Sequence, residues 1–171
     1  MKKLSEELFQ DLTHKALASP RKRAHYTLHE RLDDPVQRLC IAMEPGSYVR
    51  PHRHGPNVWE MFSVFRGSAV MLVFDNQGKV LEREEICEGK TALVEIACGV
   101  WHTLAAASPH SILMEIKPGP YTPPGPDNFA AWAPPENTEA APLFEQWFQT
   151  AVPGSRPPHL NAPEGIPIGA A

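Results

Sequence analysis

The chain has 171 residues, 42% of them hydrophobic and 21% charged, with a formal net charge of −4. That suffices for one well-packed domain with appendages and is short for two. No basic surface for nucleic acid and no run of about 20 apolar residues for a bilayer is visible, and the N-terminus MKKLSEELFQDL is too acidic and too broken for a signal peptide. A cytoplasmic protein without nucleic-acid or membrane partners is expected. Cys40, Cys87 and Cys98 are odd in number and lack CxxC spacing, which fits reduced thiols.

Leu4, Leu8, Leu12 and the Ala16/Leu17 pair recur at helical spacing, with Ser5 as a cap and Glu6 and Glu7 at the positive end of the dipole. Residues 1–19 are therefore predicted to hold one amphipathic helix, ended by Ser19-Pro20. From about Ala24 to Lys117 the pattern becomes short strands: VQRLCIAM, SYVRPHRH, VWEMFSVF, SAVMLVF, KVLEREEI, TALVEI, HTLAAA and SILMEIK. DNQG, at Asp75 to Gly78, and Arg66-Gly67 read as hairpin turns. Strands without intervening helices imply an all-β antiparallel sandwich or small barrel over 20–118.

Thirteen of the nineteen prolines lie at or beyond Pro118, so the rest of the chain cannot supply central strands. Residues 119–151 form a Pro-rich segment in which NTEAAPLFEQWFQTA makes a short helix presenting Leu143, Phe144, Trp147 and Phe148 to the barrel or to a partner subunit. Residues 152–171 have little to bury and are expected to be a disordered tail. The apolar helices and free sheet edges lead us to expect a homodimer.

His52 and His54 stand two apart, so on a strand they project to one face and can approach one ion together. Glu60, heading the next strand, can face the same interior, with Phe62 and Val64 lining the cavity below it. His102 opens a later strand after the turn at Gly99. A lone histidine is more often a surface or hydrogen-bonded residue than a ligand. Three imidazoles and one carboxylate at strand starts, however, would hold a divalent metal with positions left for water or substrate. Fe, Mn, Ni, Co, Cu and Zn all accept such donors.

The stretch GSYVRPHRHGPNVWEMFSVFRG resembles the first cupin motif, G-x5-H-x-H-x3-4-E-x6-G, at Gly46, His52, His54, Glu60 and Gly67. ACGVWH resembles the second, P-x-G-x2-H, at Gly99 and His102. The His54 to Glu60 gap is one residue longer than the motif, and Ala97 replaces its proline. SPRKRAHYTLHERLDDPVQRL, EPGSYVRPHRH, GVWHTL, KPGPY and WAPPE are similar to the WbuC-type cupin metalloproteins found beside polysaccharide genes. The resemblance implies a cupin double-stranded β-helix with a bound divalent metal, and an N-terminal and a short C-terminal helix outside it.

Other pocket residues follow from alternation. Arg50 and Tyr48 share the face of His52, where an arginine would receive a carboxylate or phosphate. His25 and His29 also alternate, and one of them, by the WbuC-type resemblance His29, would act as a general acid or base beside Glu60. The expected function is a metal-dependent enzyme on a small polar, carbohydrate-derived substrate, including anionic ones, such as an isomerase or epimerase in polysaccharide biosynthesis. The alternatives are an Fe(II) oxygenase and a non-catalytic small-molecule or metal-binding module.

Overall fold

A computed structural model describes residues 1–158. Helix α1 spans Glu6–Ala18, and the hydroxyl of Ser5 accepts from Leu8 N at 3.4 Å; such a cap adds about 1 kcal/mol. Its inward stripe is Leu12 and Ala16, packed on Cys40, Ala42 and Ile112. Leu17, expected in that stripe, is exposed, one step off the face that meets the sheet.

Eight strands follow: β1 Arg23–Thr27, β2 Val36–Met43, β3 Glu60–Arg66, β4 Ser68–Phe74, β5 Val80–Cys87, β6 Leu93–Ile96, β7 Trp101–Ala106 and β8 Ser111–Pro118. They form a five-stranded sheet, β1-β2-β8-β3-β6, and a three-stranded sheet, β5-β4-β7, with every strand pairing antiparallel. Alternation along β2 and β4 explains the layers. Ile41 and Met43 face Ala69, Met71 and Leu104 in the interior between the sheets, while Val70, Leu72 and Phe74 turn outward to Phe144 and Phe148. The second helix, α2, spans Ala141–Thr150 and seals that outer face. Leu143, expected on its packing face, is exposed, and Glu145 is buried in its place, accepting from Gly46 N at 3.1 Å and from Gln149 Nε2 at 2.7 Å.

Two local expectations change. Arg66-Gly67 is not a hairpin, because β3 and β4 lie in different sheets and the chain turns a corner between them. Gly67 has φ +72°, and a Cβ there would stand 2.6 Å from Ser111 Oγ, so the corner requires glycine. SYVRPHRH, expected as a ladder strand, is extended chain tied to β7 by one reciprocal pair, His52 N to His102 O at 3.0 Å and His102 N to His52 O at 2.9 Å. Pro51 has no N–H to extend the ladder. DNQG does close the β4–β5 hairpin, with Asp75 Oδ1 accepting from Gln77 N and Lys79 N.

The Pro-rich segment lies across one end of the barrel, held by Tyr121 N to Leu32 O at 2.7 Å and Ala130 N to Pro51 O at 2.9 Å. It starts at Gly119, where a Cβ would meet Asp34 O at 1.9 Å. Beyond α2 the chain stays tied to β5, with Val80 N bonded to Ser155 O at 2.9 Å. The remainder of the expected tail, from residue 159, lies outside the described residues. No helix among the described residues is long and apolar enough to cross a membrane.

Candidate metal centre and cavity

His52 and His54 come from the extended segment, Glu60 is the first residue of β3, and His102 is the second of β7. One donor atom from each lies within 4.8 Å of all the others. The rings of His52 and His102 are 4.4 Å apart between centroids, those of His52 and His54 5.1 Å, and those of His54 and His102 5.6 Å. Ligands about 2.0–2.2 Å from a shared ion stand at most about 4.4 Å apart, so the cluster needs to close by only a few tenths of an ångström.

The hydrogen bonds around the cluster select the tautomers. Nδ1–H of His52 donates to Arg50 O at 3.0 Å, and Nδ1–H of His102 donates to Val100 O at 2.9 Å. Carbonyls only accept, so in the neutral rings Nε2 is a bare lone pair. His102 Nε2 then faces Glu60 Oε2 at 3.0 Å, acceptor against acceptor. A cation, proton or metal, must lie between them. Nε2 of His54 is 2.8 Å from Glu60 Oε1 and, among the described residues, is buried without a hydrogen bond. Burial and then the neighbouring His102 push the His52 pKa down to about 3, keeping its lone pair free. These features fit a divalent transition metal held by three nitrogens and one oxygen.

Glu60 is 3% exposed. Burial alone would raise its pKa, but the close approach of His102 and His54 and the charge of Lys117 outweigh that and hold the carboxyl well below the usual range. Lys117 Nζ sits 2.8 Å from Glu60 Oε1 and 2.7 Å from Glu115 Oε1. Burial would lower the lysine, yet the two carboxylates raise it overall. Burial and then the charge of Glu60 push Glu115 up. The sequence reading missed this bridge. Its signal was two charged residues in alternation, Glu115 and Lys117, on a strand that turns out to be central, between β2 and β3.

The cluster opens into a cavity of about 620 Å³. Ile41, Met43, Phe62 and Leu104 give it apolar walls, and His25, Arg50, Arg53 and Lys117 add polar ones. Phe62, His25 and Arg50 are among the residues that line it, while Val64 packs into the interior core. At the wall, crowding by the surrounding protein and then the charges of Arg23, Arg21 and Lys117 lower the His25 pKa to about 4, although the residue remains open to solvent.

Two expected pocket residues lie elsewhere. His29 is buried in the β1–β2 connection, its Nδ1 accepting from Arg38 N at 3.0 Å. The strand ends at Thr27, so alternation no longer aims His29 at the cavity. Tyr48 is on the opposite side of the extended segment, stacked on Phe148 with its hydroxyl donating to Pro134 O at 2.8 Å. The irregular backbone through Pro51 breaks the register that would have put it beside His52.

A family model described as a domain of unknown function (DUF6016) matches residues 4–86. No curated protein gives a significant match. Among solved structures, BH2720 from Bacillus halodurans is similar at 16% identity over 75% of this chain and 89% of that one, with a TM-score of 0.50. KdgF from Halomonas sp. is 15% identical over 61% and 84%, with a TM-score of 0.47. The cupin domain of Cnp3 from Schizosaccharomyces pombe is 9% identical over 56% and 63%, with a TM-score of 0.43. At these identities the likeness concerns the fold alone. The structure itself is an all-β barrel of two antiparallel sheets, with an N-terminal helix and a short C-terminal helix added to it.

Proposed function

We propose that the chain is a metal-dependent cupin enzyme of the WbuC type, acting on a small polar, carbohydrate-derived substrate in polysaccharide biosynthesis. The carrying observation is the meeting of His52, His54, His102 and Glu60 donors within 4.8 Å at the wall of an open cavity of about 620 Å³. A divalent ion held there would supply Lewis acidity toward vicinal oxygens or a carbonyl of the substrate.

The protein's own residues have distinct parts in this reading. Both oxygens of Glu60 are engaged, Oε1 by Lys117 and Oε2 by His102, so Glu60 serves as a ligand and not as a free proton carrier. His25, neutral at physiological pH and exposed on the cavity wall, replaces His29 as the group that would accept a proton there. Phe62 and Leu104 keep water from part of the cavity, and Arg50 orients the substrate. The place of β6 at an edge of the five-stranded sheet supports a homodimer as part of the proposal.

Elemental analysis tests the centre. The unmodified protein should carry about one transition metal per chain, and His52→Ala and His102→Ala should carry almost none. Equal metal in all three would remove the reading. With metal loaded, interconversion of sugar isomers supports the isomerase or epimerase. Oxygen consumption would favour the oxygenase, which the same nitrogen and oxygen donors also suit, and inertness with tight ligand binding would favour a binding module.

A further inference from the structure

We propose that the cavity contains an anion subsite beside the imidazole cluster, formed by Arg50 and Arg53, and that the ligand is an acid bearing a carboxylate or phosphate. This deepens the reading above and rests on the same cavity being the ligand site.

The charges of the lining are unevenly matched. Five arginine and lysine side chains, Arg21, Arg23, Arg50, Arg53 and Lys117, meet three carboxylates, Glu60, Glu115 and Glu136. Lys117 engages Glu60 and Glu115. Arg21 and Arg23 share Glu136, at 2.8 and 2.5 Å. Among the described residues no carboxylate remains in ion-pair contact with Arg50 or Arg53.

Both arginines are held by aromatic faces instead. The Arg50 guanidinium lies 5.3 Å from the Phe129 ring centre, and that of Arg53 lies 4.4 Å from Trp101. Stacking fixes the plane of a guanidinium without consuming its in-plane donors. Arg50 Nη2 donates to Ala130 O at 2.9 Å, while its Nε is buried with no partner among the described residues. A buried donor of this kind is seldom left unmet, and a carboxylate or phosphate would meet it through paired N–H bonds.

Position reinforces the assignment. Arg50 lies two residues before His52, and Arg53 lies between His52 and His54, so the segment that presents the imidazoles also presents both cations. Asn128 secures the same segment, its Oδ1-bearing side chain donating through Nδ2 to Arg53 O at 2.9 Å and its carbonyl accepting from Arg53 N. A neutral sugar leaves two cations unmatched in this lining, and a cationic ligand is repelled by it. An acid completes it.

Inorganic phosphate is the probe, titrated calorimetrically into the metal-loaded protein, into His52→Ala, and into Arg50→Met, Arg50→Lys, Arg53→Met and the exposed control Arg31→Met. Phosphate should bind the unmodified protein, weaken tenfold or more in Arg50→Met, and weaken less in Arg53→Met and in Arg50→Lys, which keeps the charge without the fork. Arg31→Met should match the unmodified protein. Retention of Arg50-dependent binding in His52→Ala, or in a protein that proves to hold no metal, leaves the subsite standing while the metal reading falls or is bypassed. Metal binding with phosphate affinity indifferent to Arg50 and Arg53, or no phosphate binding at all, overturns the subsite and leaves the metal centre intact. If circular dichroism shows Arg50→Met unfolded, Arg50→Lys and Arg53→Met decide on the same criteria.

Discussion

The two faces of the β5-β4-β7 sheet are made by neighbouring residues and have opposite characters. Outward, Val70, Leu72, Phe74 and Ala105 pack with Phe144, Phe148 and Tyr48 into a dry aromatic layer under α2. Inward, Met71 and Leu104 begin an apolar interior that gives way to His102 and the cavity. Trp101 and His102 are adjacent, yet Trp101 packs against the first layer and His102 joins the second. A period of two lets one strand stabilise the fold with one residue and present a candidate ligand with the next. The two regions should therefore separate experimentally.

The largest effect should come from the dry layer. Phe148→Ala should cost about 4 kcal/mol of stability by cavity formation, measured by urea unfolding, with metal content unchanged; loss of metal in a still-folded variant would break the comparison. Lys117→Met should follow, costing about 3 kcal/mol in the metal-free protein because it leaves Glu60 and Glu115 buried without their cation. Adding Glu115→Gln should return part of that, and a single variant as stable as the parent would show that Lys117 does not balance the pair.

Arg83→Met should cost less, about 2 kcal/mol, since Arg83 donates to the carbonyls of Phe148, Gln149 and Ala151 at the end of α2. Its effect should appear in thermal melting and leave metal binding alone.

The smallest effects are in pH dependence. Burial would raise Glu136, but its hydrogen bond from Arg21 and the charge of Arg23 hold it below the ordinary glutamate value. Its contribution is full above that ordinary value and is lost as pH falls through the lowered one, so Glu136→Gln should flatten the acid limb of the stability curve. For His25 the unfolded chain takes up its proton near 6.5 and the folded one only near 4. Stability should decline as pH falls across that window, and His25→Gln should remove that part of the slope. Unchanged acid limbs in both variants would show that neither group is perturbed by its neighbours.

Strand alternation paired His52 with His54, and the resemblance to the two cupin motifs joined Glu60 and His102 to them, because both signals need no knowledge of neighbours. The same rule failed at Tyr48, where the segment through Pro51 is not a ladder strand, and at His29, which lies beyond the end of β1. Arg66-Gly67 was readable as a turn, but a turn residue does not say whether the chain returns beside itself or crosses to another sheet. Lys117 and Glu115 went unread because charges on a strand usually mark a solvent face; only the place of β8 between β2 and β3 buries them.

By itself the sequence determined the all-β class, the flanking helices and the side-chain chemistry available to the site, since propensity, periodicity and ligand type are local properties. The tertiary structure decided the order of the strands, the lysine bridge to Glu60 and the arginines that have no carboxylate partner among the described residues. Those depend on which distant residues become neighbours, and pairing across a barrel is set by the packing of all its strands at once.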